Sequence, residues 1–194
     1  MVPEAPLRET EHGLVAAGEG WFILNAAAAR WRYREGKATL PFEGEMDFSQ
    51  VGISLIVLGP GEPMAMYHWE TDQEDFLLLS GEALLVIEGE ERPLRQWDFV
   101  HCPPTTGHVI VGAGDGDCVV LAVGAREHQT TRGSDGTLQW VAGWGAYTVD
   151  AAALRHGAGV EEETADEEQA YVRFPELQPT RYRDGWLPGR LREG

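Results

Sequence analysis

Positive charge is scarce in this chain: its 194 residues carry 15 lysines and arginines against 32 aspartates and glutamates, a formal net charge of −17. Such a surface repels a polyanion over most of its area, which argues against DNA, RNA or anionic membrane as partners. Long apolar runs are missing too. No stretch reaches the ~18 apolar residues of a membrane-crossing helix, and Met1 to Gly13 is mixed and charged rather than basic and then apolar. A soluble, cytoplasmic protein is expected. Cysteine occurs only at Cys102 and Cys118; two thiols make no disulfide framework in a chain of this length, and both are expected to be reduced. No internal repeat is evident, and no ordering of Ser, His and Asp suggests a nucleophilic triad. The glycine-rich segment Gly112 to Gly116 lacks the strand, helix and lysine context of a phosphate loop and reads as a turn.

What the chain does contain is a 43% hydrophobic composition, enough for one substantial core and one folded unit. Between Val51 and Val123, short runs of β-branched and large apolar residues alternate with Gly, Pro and acidic turns, with no sustained helical period. The expected strands are Gly52 to Leu58, Met66 to Glu70, Glu74 to Leu79, Glu82 to Ile87, Trp97 to Cys102, His108 to Val111 and Cys118 to Val123. Turns are expected at Gly59-Pro60-Gly61, Ser80-Gly81, Glu88-Gly89-Glu90 and Ala113 to Gly116. Seven closely spaced short strands point to an all-β barrel or sandwich.

The flanks differ. Residues 20 to 50, with Trp21 to Leu24, Ala26 to Ala29, Trp31 and Tyr33, read as strands or an arm packed on the barrel. Trp140 to Val149 offers one more strand. Asp150 is an N-cap candidate for a short helix through Ala151 to Leu154. The acidic run Glu161 to Glu168 reads as a solvated face or link, because six acids in eight residues bury little. From Tyr171 to Gly194, five arginines and three prolines accompany Phe174, Tyr182 and Trp186, an extended tail lying on a surface, either of this chain or of a second subunit. The resulting division is an N-terminal arm (1–19), a β-barrel (20–149) with its core in 52–124, and a C-terminal extension (150–194).

The chemistry concentrates at two points. Side chains alternate along a strand, so His68 and Glu70 project to one side, with Met66 beside them. A tight turn through Thr71 and Asp72 brings Glu74 to the start of the antiparallel neighbour, and His108 opens a further strand after the turn Pro103 to Gly107. Imidazole nitrogens mixed with carboxylate oxygens suit Zn, Mn, Fe, Co, Ni or Cu, and suit Mg or Ca less well.

This arrangement resembles the cupin superfamily. Its first motif is Gly, five residues, His-x-His, three or four residues, Glu, six residues, Gly. His68, Glu74 and Gly81 fall at that spacing; Glu62 stands at the opening glycine, and Glu70 at the second histidine. The second motif is Gly, five residues, Pro-x-Gly, two residues, His, three residues, Asn. Pro103 and His108 match it, while Trp97, Thr105 and Gly112 replace its two glycines and its asparagine. The resemblance covers roughly residues 52 to 124. It implies a double-stranded β-helix (jelly-roll) barrel with N- and C-terminal extensions, and a divalent transition metal held by His68, Glu74 and His108. Glu70 would be a fourth ligand or an acid/base group.

His101, on the strand entering the proline turn, is a general base or proton shuttle facing the interior, an added ligand, a donor that orients a carboxylate from outside the ligand set, or a satisfied buried histidine. Cys102 alternates to the other face and reads as core; Met64, Met66, Tyr67, Trp69 and Phe76 either line an apolar substrate pocket or, the commoner case in a barrel, are core. His12, His128 and His156 read as structural. The expected function is that of a metal-binding cupin acting on a small organic molecule, as an oxygenase or isomerase, in a homodimer. The alternative is a non-catalytic small-ligand-binding cupin with a structural metal.

Overall fold

A computed structural model describes residues 1–127, 130–132, 138–140 and 143–189. His128, residues 141–142 of the expected strand and residues 190–194 of the tail lie outside the described residues. The N-terminal flank supplies β1 (Leu7–Thr10), β2 (Gly13–Ala16), β3 (Arg30–Arg34) and β4 (Lys37–Pro41). Eight strands follow in the central segment: β5 (Val51–Leu58), β6 (His68–Glu70), β7 (Glu74–Ser80), β8 (Glu82–Ile87), β9 (Glu90–Arg95), β10 (Phe99–Cys102), β11 (His108–Ala113) and β12 (Cys118–Ala125). Beyond them lie β13 (Thr130–Arg132), β14 (Leu138–Trp140), β15 (Gly145–Tyr147), the helices α1 (Ala151–Arg155) and α2 (Glu167–Ala170), and β16 (Gln178–Arg181).

Two antiparallel sheets face each other as a jelly roll. One runs β10-β7-β12-β5-β4-β3-β16 and the other β15-β6-β11-β8-β9. Between them, alternate residues of both sheets interdigitate: Ile56, Leu58, Phe76, Leu78, Leu85, Val100, Ile110 and Val120 form the central core. The opposite face of the larger sheet carries a second cluster of Trp31, Leu40, Leu55, Val57 and Val119, covered by Trp186 from the tail. Gly81 turns β7 into β8 with φ +76, and a Cβ there would lie 2.6 Å from the Asp117 carbonyl oxygen, so only glycine fits.

All seven expected strands are present. Of the segment Glu90–Arg95 only Glu90 was assigned, to the turn Glu88-Gly89-Glu90, yet the segment forms β9. It is charged, contains Pro93 and pairs on one side only, with β8. An edge strand tolerates charge and proline where a central strand does not, so its sequence carries no apolar alternation to read. The flanks are more integrated than an arm and a tail. β3 and β4 extend the larger sheet, and β16 adds to its edge by pairing with β3. Asp150 caps α1, its carboxylate accepting from the Ala153 amide.

Candidate metal centre

The two imidazoles meet because His68, the first residue of β6, is the direct antiparallel partner of His108, the first residue of β11. Directly opposed residues share a face, and the rings stand 5.0 Å apart between centroids. Glu74 opens β7 in the facing sheet, so the donors come from both walls of the barrel. His68 Nε2 lies 3.4 Å from Glu74 Oε2, and His108 Nε2 lies 3.2 Å from the same oxygen. All three donor atoms fall within 4.8 Å of one another. Glu70 shares the side of His68, as the strand alternation requires, and its Oε1 is 3.5 Å from His68 Nε2.

These contacts are close but misaligned. His108 Nε2 and Glu74 Oε2 are buried and neither makes a directed hydrogen bond. A buried carboxylate oxygen and ring nitrogen left so are costly unless something else engages them. Donors bound to one ion at about 2.1 Å stand roughly 3.0–3.4 Å apart in tetrahedral or octahedral arrangement, which matches the 3.2 and 3.4 Å observed here. The remaining ring nitrogens are already committed: His68 Nδ1 donates to the Met66 carbonyl at 2.7 Å and His108 Nδ1 to the Thr106 carbonyl at 3.0 Å. Since a carbonyl only accepts, Nδ1 keeps its hydrogen and Nε2 of the neutral ring turns its lone pair toward Glu74. The residues present therefore fit a divalent transition ion.

Electrostatics follow the same geometry. Burial opposes the charged form of His68, but the Glu70 and Glu74 carboxylates close beside its Nε2 outweigh it and raise the ring to about 9. Burial likewise opposes charge on His108, yet contacts with Cys102 and the Glu74 carboxylate raise it to about 10. Glu74, although penalised by burial, is held down at about 2 by the two imidazoles. Without an ion, the protons on Nε2 balance the carboxylate; an ion would take their place.

His101 corrects an expectation. It pairs in register with Asp75, whereas its neighbour Cys102 pairs with Glu74. Alternation therefore turns Cys102 inward beside His108 and His101 outward, where its half-exposed ring bonds the Asp75 carboxylate at 2.7 Å. It faces away from the donors and is not placed to shuttle a proton there.

Of the aromatic wall, only Phe76 was weighed beforehand, as pocket lining or core. Phe76 stands 5.3 Å from the His108 ring, and Tyr147 and Trp144 stand 5.8 and 6.2 Å from His68. Tyr171 closes the wall from the C-terminal extension: its ring meets Tyr147 edge-on at 5.6 Å and its hydroxyl accepts from the Met66 amide. Trp144 and Tyr147 both lay in the expected strand from Trp140 to Val149, but nothing local to either, or to Tyr171, marks it as a neighbour of His68.

Residues 54–124 match the family model of the cupin domain. This segment is a cupin domain. The matched cupin segment contains His68, Glu74 and His108 and leaves both flanks outside it. Solved structures similar to the chain include a sugar phosphate isomerase of the cupin superfamily from Silicibacter pomeroyi, 22% identical over 61% of this chain and 83% of that one, with a TM-score of 0.44. Another is a predicted oxalate decarboxylase from Thermotoga maritima, 18% identical over 53% of this chain and 98% of that one, TM-score 0.47. A third, provisionally described as a sugar phosphate isomerase, comes from Acidithiobacillus ferrooxidans; it is 31% identical over 42% of this chain, TM-score 0.40, and only 53% of its own length is spanned. No curated protein matches the chain.

Proposed function

We propose that the cupin barrel holds one divalent transition metal ion through His68, Glu74 and His108 and uses it on a small organic molecule, in an isomerisation or an oxygen insertion. The observation that carries this reading is the convergence of three donor atoms, two of them buried and without a directed hydrogen bond, on one point between the sheets. When bound, such an ion supplies Lewis acidity and an open coordination position. The chain's own groups do the rest. The Met66 and Thr106 carbonyls fix both ring tautomers. Glu70, 3.5 Å from His68 Nε2, is a carboxylate beside the donors and is placed to hold or move a proton on a ligand oxygen. Trp144, Tyr147 and Phe76 keep the imidazoles dry, which strengthens every charge interaction among the donors.

The same crowding favours a second reading, in which the ion is structural and the barrel binds its ligand without turnover. Metal content by elemental mass spectrometry tests the shared premise, on protein purified without added metal or metal-affinity resin. Near-stoichiometric metal in the wild type, lost in His108→Ala, is the expected result. Absence of metal from the wild type even after reconstitution would overturn both readings. Given a metal, exchange of bound water or a redox change of the ion favours the catalytic reading over the structural one.

A further inference from the structure

Lys37 is the only lysine of the chain; the other fourteen basic residues are arginines. It sits on β4 opposite Arg34 of β3, with Arg32 opposite Thr39 one step along, so Arg32, Arg34 and Lys37 share one face of the hairpin. Lys37 and Thr39 in turn oppose Leu58 and Ile56, whose side chains belong to the inter-sheet core, which identifies that face as the inner one. There the three cations line a cavity of 650 Å³ roofed by Tyr171 and Phe174. His68, Glu74 and His108 do not line it.

The cations have different commitments. Arg34 is buried, pairs with Glu62 and lies 4.4 Å over the Phe174 ring. Arg32 is exposed at the cavity wall and pairs with no carboxylate among the described residues. The Lys37 ammonium donates to the Met64 carbonyl. Its environment is unfavourable to charge: burial first, then Arg34, pull it down to about 8, against the opposing pull of Glu62 and Glu167. Glu168 and Glu176 face the same cavity as Arg32. Near neutral pH a far larger share of the Lys37 side chains then carries a free amine than for an unperturbed lysine. A free amine is a nucleophile, which arginine in any of the other fourteen positions cannot become.

We infer that this cavity is a second ligand site, separate from the metal centre, which takes a small oxo acid and holds its carbonyl carbon as an imine on Lys37 while Arg32 binds its carboxylate. The Lys37 nitrogen attacks the carbonyl carbon and forms the C–N bond. The carbonyl oxygen takes up two protons, both of them released by the attacking nitrogen when it enters as the ammonium-derived amine, and leaves as water. The C=N bond remains, and nothing is oxidised or reduced. Arg32, with its planar fork, suits the carboxylate.

The full-length protein can be tested with glyoxylate and with acetaldehyde, each in the presence of cyanoborohydride, which traps an imine as a stable adduct. Peptide mapping then reads labelling of Lys37 relative to the chain's α-amine, a ratio that cancels the intrinsic reactivities of the two aldehydes. The ratio is expected to be at least about tenfold higher with glyoxylate, the size of one charge-assisted contact, and to fall back to the acetaldehyde value in Arg32→Ala. Metal removal is expected to leave it unchanged, which separates this site from the barrel centre. Equal ratios for the two aldehydes, or Lys37 labelling seen only in urea, would overturn the inference.

Discussion

Thr105→Gly should stabilise this protein, although glycine substitutions ordinarily do the reverse. Thr105 has φ +69, a left-handed conformation that costs an L-residue roughly 1–2 kcal/mol, with a β-branched residue at the upper end. Glycine adopts it freely but gives the unfolded chain more freedom, a loss of roughly 0.5–1 kcal/mol. Thr105 is exposed, so no packing is forfeited. The balance is a gain of about 1–1.5 kcal/mol, or about 2–6 °C in Tm for a chain of this size. Urea unfolding measures it, with an unchanged m-value as the check that only stability moved. The neighbouring Thr106 is not among the residues with positive φ, so Thr106→Gly is the control and should lose about 0.5–1 kcal/mol. If Thr105→Gly is no more stable than wild type, or the two glycine variants behave alike, the backbone argument is wrong. The position also matters to the site, because the Thr105 amide donates to the Glu70 carbonyl at 2.7 Å.

Other perturbations have defined signs. In metal-free protein, His68 and His108 are raised in the folded state to about 9 and 10. Their contribution to stability is complete below the ordinary histidine value of about 6.5 and is lost as pH rises through about 9 and 10; urea midpoints that stay flat across that window would contradict it. Glu74, depressed to about 2, contributes above the usual carboxylate range and loses its contribution as pH falls toward about 2. Glu74→Gln removes the charge shared by both rings, so it should weaken metal binding at least about tenfold and return both imidazoles toward ordinary values, read by titration calorimetry and by NMR of the ring protons. Trp186→Ala empties the space beside Trp31, whose ring is 5.1 Å away, and should cost about 3 kcal/mol and expose the β16 amides to hydrogen exchange.

The barrel was legible because its signal is local. Strand period, turn residues and the spacings within each of the two motifs, His68 to Gly81 and Pro103 to His108, are set by a few neighbouring positions, and the cupin resemblance joins the two motifs. Where the chain departs from the family pattern, the backbone still keeps that pattern's geometry: Trp97 and Thr105, which stand at two of the glycine positions, have φ +77 and +69. Strand β9 escaped because an edge strand needs no apolar face. His101 was misplaced for a similar reason. Alternation separates His101 from Cys102 but does not say which faces inward, and that depends on the pairing of β10 with β7.

By itself the sequence pointed to an all-β fold and its central strands through periodicity and turn signals, and its resemblance to the cupin motifs singled out His68, Glu74 and His108 as candidate donors. Tertiary structure alone decided the rest: that both Nε2 atoms face one carboxylate oxygen, that Tyr147 and Tyr171 wall the donors, and that Lys37 opens onto a cavity beneath the C-terminal segment. These depend on residues far apart in the chain brought together by sheet pairing. Local pattern sets which residues share a face, but not what lies across from them.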